Sequence, residues 1–177
     1  GMEISEQFPE NLYAVFVAVG GGGLIAGIGA YLNKVHPNVK IIGVEAADSA
    51  GLHASVKAGK RVKLKEVGLF ADGAAAKQIG KNNYELIKNF LDDSITVDTD
   101  EICAAVKDTF LETRTVPEPT GALALAGLKK YIGQKRIKNK NLIATYCGSN
   151  LNFESLGHIV ERSKIGEKKE IILSIAI

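Results

Sequence analysis

The sequence predicts an α/β fold, a mostly parallel sheet with flanking helices, and three observations carry that expectation. Apolar runs of strand length alternate with longer segments of helical period. Breakers and caps fall between them, as at His36-Pro37-Asn38 and at Asp98-Thr99-Asp100-Glu101. Four consecutive glycines, Gly20, Gly21, Gly22 and Gly23, join the first apolar run to the first helical one.

In chain order, Gly1-Met2-Glu3 leads into a short polar stretch compatible with a helix. Ala14 to Val19 is an unbroken apolar run, the pattern of a buried strand. Leu24 to Val35 has helical period and stops before His36-Pro37-Asn38. Lys40 to Glu45 reads as the second strand and Leu52 to Ala58 as a short helix. Asn83 to Leu91 carries Leu86, Ile87, Phe90 and Leu91 at helical spacing, and Ser94 to Val97 is a strand. Asp98 and Glu101 form a capping box that opens a helix reaching about Thr113. Thr120 to Ile132 is an Ala- and Leu-rich helix, Asn141 to Tyr146 a strand, and Asn152 to Arg162 a helix. Glu170 to Ile177 closes the chain as an apolar strand with no charged gatekeeper, an aggregation hazard in a complete protein, so the chain is expected to be part of a longer one.

With 177 residues, 46% of them hydrophobic, the chain can bury the core of one ordinary domain. Its net charge of +2 comes from 22 basic and 20 acidic residues interspersed without a basic block, which argues against a nucleic-acid partner. No apolar segment approaches the roughly 20 residues of a membrane helix, and the first residues carry acids instead of the basic start of a signal peptide. Cys103 and Cys147 lie far apart with no CxxC or Cys/His cluster, so a reducing, cytoplasmic setting is expected. Cys103 sits on a helical apolar face and reads as core. His36 and His53 lie in polar, turn-like surroundings and His158 has no ligand-spaced partner, so no metal site is expected and no Ser/His/Asp order is persuasive. Asp92-Asp93 and Asp98 to Glu101 read as surface and capping groups.

The glycine run is the strongest functional signal. A buried strand that turns through residues without side chains into a helix leaves backbone N–H groups bare at the positive end of the helix dipole, where an anion can approach. A Walker loop is excluded, since no Gly-Lys-Ser/Thr follows. Gly21-x-Gly23-x-x-Ala26 satisfies a dinucleotide fingerprint, with Glu45 at the end of the next strand where an acid would meet a ribose hydroxyl. Downstream, Glu118 stands between two prolines at a helix start, and Tyr146-Cys147-Gly148-Ser149-Asn150 ends the strand begun at Asn141. Ligands of open α/β sheets bind beyond the carboxyl ends of strands, so Gly20 to Gly23 and Cys147 are expected to converge on one crevice.

The blocks Val17-Ala18-Val19-Gly20-Gly21-Gly22-Gly23-Leu24-Ile25-Ala26-Gly27, Gly43-Val44-Glu45, Gly68-Leu69-Phe70-Ala71-Asp72-Gly73, Glu118-Pro119-Thr120-Gly121-Ala122 and Cys147-Gly148-Ser149-Asn150-Leu151-Asn152-Phe153 resemble, in order, the biosynthetic threonine dehydratases (threonine ammonia-lyases). The resemblance covers essentially the whole chain. It implies a pyridoxal 5′-phosphate enzyme of the tryptophan synthase β-like fold (fold type II), incomplete in this chain. Residues 1–160 would be the C-terminal portion of the catalytic domain, and residues 161–177 a linker and the first strand of an ACT-like regulatory domain. The implied reaction is the deamination of L-threonine to 2-oxobutanoate and ammonia, in isoleucine biosynthesis, by an allosteric, homo-oligomeric enzyme.

Carried over residue by residue, the resemblance implies that the backbone of Gly20, Gly21, Gly22, Gly23 and Leu24 holds the cofactor phosphate. Cys147 falls where family members place a serine or cysteine opposite the pyridine nitrogen, a neutral partner that favours elimination over transamination. Gly73 resembles a glycine beside the cofactor and Glu118 a nearby pocket acid. Asp48-Ser49-Ala50-Gly51 departs from the cation-binding pattern of related racemases. The family's Schiff-base lysine, in a Ser-Phe-Lys motif, and its ring-facing asparagine motif have no match here, and Lys77 reads as solvated. The chain alone is therefore expected to carry no catalytic residue and to be inactive, needing the N-terminal part of the same protein.

Overall fold

The computed structural model describes residues 1–8 and 11–171. Along them run α1 (Met2–Gln7), β1 (Leu12–Ala18), α2 (Gly23–Val35), β2 (Lys40–Ala46), α3 (Gly51–Ala58), α4 (Lys81–Ile87), β3 (Leu91–Val97), α5 (Thr99–Thr113), α6 (Pro119–Lys135), β4 (Asn141–Ala144) and α7 (Ser155–Gly166). The four strands form one sheet in the order β3-β2-β1-β4, and every neighbouring pair is parallel. The fold is the α/β class with a parallel sheet that the alternating apolar runs predict.

The unbroken apolar run of β1 has a simple cause: helices cover both faces of the sheet. Ala14, Phe16 and Ala18 point into one core, shared with Ile102, Cys103 and Val106 of α5, Leu123 and Tyr131 of α6, and Ile159 of α7. Val15, Val17 and Val19 point into a second core with Ile25, Ile28 and Leu32 of α2, Leu52 of α3, and Tyr84 and Ile87 of α4. Successive strand residues alternate between the two cores because the side-chain period of a strand is two. The Phe16 and Tyr131 rings meet edge-on at 5.3 Å.

β2 and β4 flank β1 on opposite sides, so the chain reverses its direction of travel across the sheet at β1. Such a switch point parts the loops that leave two neighbouring strands and opens a crevice between them. Here the two loops are the glycine run after β1 and the Thr145–Gly148 segment after β4.

Element bounds differ from expectation in places where tertiary contacts overrule local pattern. The helix expected over Asn83 to Leu91 is Lys81–Ile87, because Leu91 already belongs to β3 and pairs with Ile41 of β2. An Asp92 side-chain oxygen accepts the Ile41 N–H at 2.8 Å, which anchors that early start. The strand expected to reach Tyr146 ends at Ala144, although the Thr145 N–H still donates to the Phe16 carbonyl at 3.0 Å. The predicted capping box is present: the Asp98 carboxylate accepts the Glu101 N–H and Glu101 returns the bond to the Asp98 N–H. The helix expected to end at Arg162 continues to Gly166. Its last turns are fastened to α5, where Arg162 pairs with Asp100 at 2.6 Å and Glu167 with Lys107 at 2.7 Å. The closing strand expected from Glu170 lies, from residue 172 onward, outside the described residues. No helix among the described residues is long and apolar enough to cross a membrane.

Candidate functional site

A cleft of about 240 Å³ lies at the switch point, lined by Ala18, Gly20, Gly21, Gly22, Gly23, Leu24, Gly73, Ala74, Glu118, Thr120 and Cys147. Every residue that the sequence marks for the phosphate and for the ring partner is in that lining, and so are Gly73 and Glu118.

The glycine side is built from the end of β1 and the first turn of α2. Gly22 caps α2 in the left-handed region at φ +86°, where an L side chain is strained, and an added Cβ would lie 2.9 Å from the Ile79 side chain. At Gly20 an added Cβ would lie 3.0 Å from Cα of Ala74, so the 71–74 segment packs directly on the loop. Gly21 and Gly23 are different: a Cβ at either position would meet nothing within 4 Å, and neither has positive φ. No side chain caps α2, so the first-turn N–H groups, those of Gly23 and Leu24 among them, stay bare at the positive end of a 13-residue helix. The Gly21 carbonyl is held by the Asn83 side-chain amide at 2.7 Å and the Gly80 N–H at 3.1 Å. Because the peptide is planar and trans, that hold turns the Gly22 N–H away from α4.

The opposite side is built from the exit of β4 and the start of α6. The Thr145 hydroxyl accepts from the Ala18 N–H at 3.4 Å and from the Cys147 thiol at 3.4 Å, which ties the half-buried Cys147 to the end of β1. The Glu118 N–H donates to the Gly148 carbonyl at 3.1 Å, and Gly121 has no room for a Cβ, which would fall 2.3 Å from that same carbonyl. Gly148 has φ +143°, and the Glu118 carboxylate occupies the place its side chain would need. Glu118 is the N-cap of α6, where its charge suits the helix dipole. Thr120 is buried, and its hydroxyl has no hydrogen-bond partner among the described residues. A buried hydroxyl left unpaired costs about 1–3 kcal/mol, so the lining of the cleft holds an unmet polar group.

Glu45 does not belong to this cleft, which corrects the dinucleotide alternative built on Gly21, Gly23 and Glu45. Its side chain is 1% exposed, and its two carboxylate oxygens accept the Leu52 and His53 N–H groups at 2.7 Å each. Burial pushes its carboxyl up to about 7, against the opposite pull of the Leu52, His53 and Gly51 N–H groups. The residue anchors the start of α3 to β2 and is buried out of reach of a ribose. Lys77 is exposed and outside the cleft. Cys103 is fully buried in the α5 core, and burial, then the Asp100 charge, pushes its thiol up to about 12, so it is an inert core residue as read from the sequence. Among the described residues no three His, Cys, Asp or Glu side chains stand together as a metal would need.

Sequence reasoning missed three supports. Asn83 and Gly80 reach the glycine loop from far along the chain and carry no local signal for it. Thr120 lies inside a recognised block, yet only its missing helical partner, a structural fact, sets it apart.

A sequence profile described as "Pyridoxal-phosphate dependent enzyme" matches residues 1–148. L-threonine dehydratase biosynthetic IlvA of Burkholderia multivorans is 48% identical over 176 residues, 99% of this chain and 35% of the relative. The mitochondrial threonine dehydratase of Schizosaccharomyces pombe is 49% identical over 180 residues, 100% of this chain and 30% of the relative. The chain thus spans about a third of the length of these curated relatives. Among solved structures, the processed form of threonine deaminase isoform 2 from Solanum lycopersicum superposes with a TM-score of 0.89 at 40% identity, over 92% of this chain and 47% of that one. Serine racemase from Dictyostelium discoideum gives 0.76 at 29% identity, over 86% and 48%. The cleft fits the phosphate end of a pyridoxal phosphate: two glycines open onto space that a Cβ would fill, the first-turn N–H groups are bare, and a buried hydroxyl lacks a partner.

Proposed function

The chain belongs to the pyridoxal-phosphate dependent enzymes, and on that premise we propose that it forms part of a threonine ammonia-lyase, which deaminates L-threonine to 2-oxobutanoate and ammonia in isoleucine biosynthesis. The observation that carries the reading is the convergence of the glycine run and Cys147, from two different strand ends, on one cleft.

Pyridoxal phosphate, when bound, supplies an electron sink for the bonds at the amino acid's Cα. The chain's own residues position it. The backbone of Gly20, Gly21, Gly22, Gly23 and Leu24 would hold the phosphate at the N-terminus of α2, where N–H groups and the dipole would meet the anion without a charged side chain. Rigid anchoring at that end aligns the reacting centre, a positioning contribution. Cys147, fixed through Thr145, would offer the ring nitrogen a neutral partner, and Gly73 and Ala74 line the same cleft. The lysine and asparagine of the family's Ser-Phe-Lys and ring-facing motifs are contributed by sequence other than these residues. Residues 161–177 lead toward a regulatory ACT-like unit, and the enzyme is a cytoplasmic homo-oligomer whose catalytic domain needs its N-terminal part.

The test is to express the intact protein, load it with pyridoxal phosphate, and follow 2-oxobutanoate and ammonia from L-threonine, with pyruvate from L-serine as comparison. Cofactor-dependent 2-oxobutanoate is the expected product. Cofactor binding without turnover of L-threonine would sink the substrate assignment, and failure to bind the cofactor would sink the whole reading.

A further inference from the structure

Three threonine hydroxyls on the α5 and α6 helices show how a helical hydroxyl is ordinarily satisfied, and how one is not. Thr109 donates to the Ala105 carbonyl at 2.9 Å and Thr113 to the Thr109 carbonyl at 2.7 Å, each reaching one turn back along α5. Thr120 cannot do this. It is the second residue of α6, and the carbonyl one turn back, that of Val116, precedes the N-cap Glu118 and is outside the helix. Its side chain is 8% exposed, its Oγ1 is without a partner among the described residues, and the space where Gly73 would carry a Cβ lies 3.0 Å from that oxygen. Gly73 and Thr120 both line the cleft. The hydroxyl therefore sits beside Gly73 in the cleft lining, with no carbonyl of its own helix to take its proton.

We propose that the Thr120 hydroxyl is a further ligand-contacting group of this cleft, hydrogen-bonding a polar atom of the bound pyridoxal phosphate. The inference rests on the proposed cofactor. A buried hydroxyl kept without a partner weakens the empty protein, and a ligand atom within its reach removes that penalty on binding. The signature is thus opposite to that of a packing residue: deleting the hydroxyl leaves the empty protein as stable or more so, and weakens only the loaded one.

The experiment compares Thr120→Val and Thr120→Ser in the intact protein. Pyridoxal 5′-phosphate is titrated into the cofactor-free form by fluorescence, and thermal unfolding is measured without cofactor. Thr120→Val is expected to weaken cofactor binding about tenfold with an unchanged or higher unfolding temperature, and Thr120→Ser to bind within about twofold of wild type. Should Thr120→Val not fold, Thr120→Ala removes the same hydroxyl and replaces it in the comparison. Unaltered cofactor affinity in the variant lacking the hydroxyl overturns the inference while leaving the cofactor assignment intact. A wild type that binds no cofactor overturns both.

Discussion

Among the described residues Gly21 and Gly23 have no neighbour that objects to a side chain, and no backbone angle that demands glycine, yet glycine there, at the loop end and the first helical position, weakens the fold. Gly20 and Gly22 are required by their own surroundings, Ala74 and Ile79. The run therefore divides into two positions kept by the fold and two whose open side faces the cleft. Gly22→Ala is expected to destabilise the cofactor-free protein by about 1–2 kcal/mol through left-handed strain. Gly23→Ala should leave it unchanged or stabilise it by up to about 1 kcal/mol, while weakening pyridoxal phosphate binding by about tenfold or more. Thermal unfolding and cofactor titration on the two variants check this, and equal affinities in Gly23→Ala and wild type would refute it. The two cysteines give a second contrast. Cys103, buried and with its thiol pushed up to about 12, should resist alkylation until the protein unfolds. Cys147 is half-buried at the cleft and should be alkylated in the native state and protected by pyridoxal phosphate, with the modified peptide read by mass spectrometry. Glycine runs and a cysteine at a strand end are legible in sequence because their signal is local. Asn83 and Thr120 were not, because what distinguishes them is a contact, or the lack of one, across the fold.

Among the elements, α3 hangs on one side chain. Glu45 leaves β2 facing the α3 side of the sheet and receives the Leu52 and His53 N–H groups, so a buried carboxylate substitutes for the side-chain cap that α3 lacks. Because its carboxyl is raised from 4.5 to about 7, the folded state keeps the proton that the unfolded chain releases first. This group's contribution to stability is therefore largest below pH 4.5, declines as the pH rises toward about 7, and is level above that. Glu45→Gln cannot titrate, so the wild type should lose ground to it by no more than about 3 kcal/mol between the two limits. Urea melts at pH 5 and pH 8 measure the gap, and a gap that does not move with pH would contradict the raised carboxyl. The α4–β3 boundary shows where element reading failed. Leu86, Ile87, Phe90 and Leu91 have helical spacing, but the parallel ladder with β2 claims Leu91, and Leu86 is left 48% exposed. Strand pairing is a long-range constraint that periodicity cannot see. α6 is positioned by Gly121, whose absent Cβ lets the helix start lie on the Gly148 carbonyl. Gly121→Ala should push the two apart, costing about 1–3 kcal/mol of stability and loosening the cofactor, as thermal unfolding and the same titration would report.

For the molecule as a whole, the order β3-β2-β1-β4 is what turns separated sequence blocks into one site. The alternation of strand and helix announced the layers, but no local pattern announced that β4 would pair with β1 and so bring Cys147 beside the glycine loop. Only the rule that ligands collect beyond the carboxyl ends of parallel strands pointed that way. The same assembled cleft also defines what the chain by itself lacks. Its lining contains the glycine-loop backbone, a thiol, a carboxylate and a hydroxyl, and no amine. A group that must be held covalently through an amine finds none in this cleft; Lys77 is exposed outside it. The 177-residue chain alone is therefore expected to bind pyridoxal phosphate reversibly, through the phosphate, and to deaminate no L-threonine above the rate of free cofactor. Borohydride reduction of the mixture followed by peptide mapping should find only sparse label scattered over surface lysines. Stoichiometric label on a single lysine of this chain, together with 2-oxobutanoate release, would show that the chain carries its own reactive amine and would overturn the division of labour argued from the cleft.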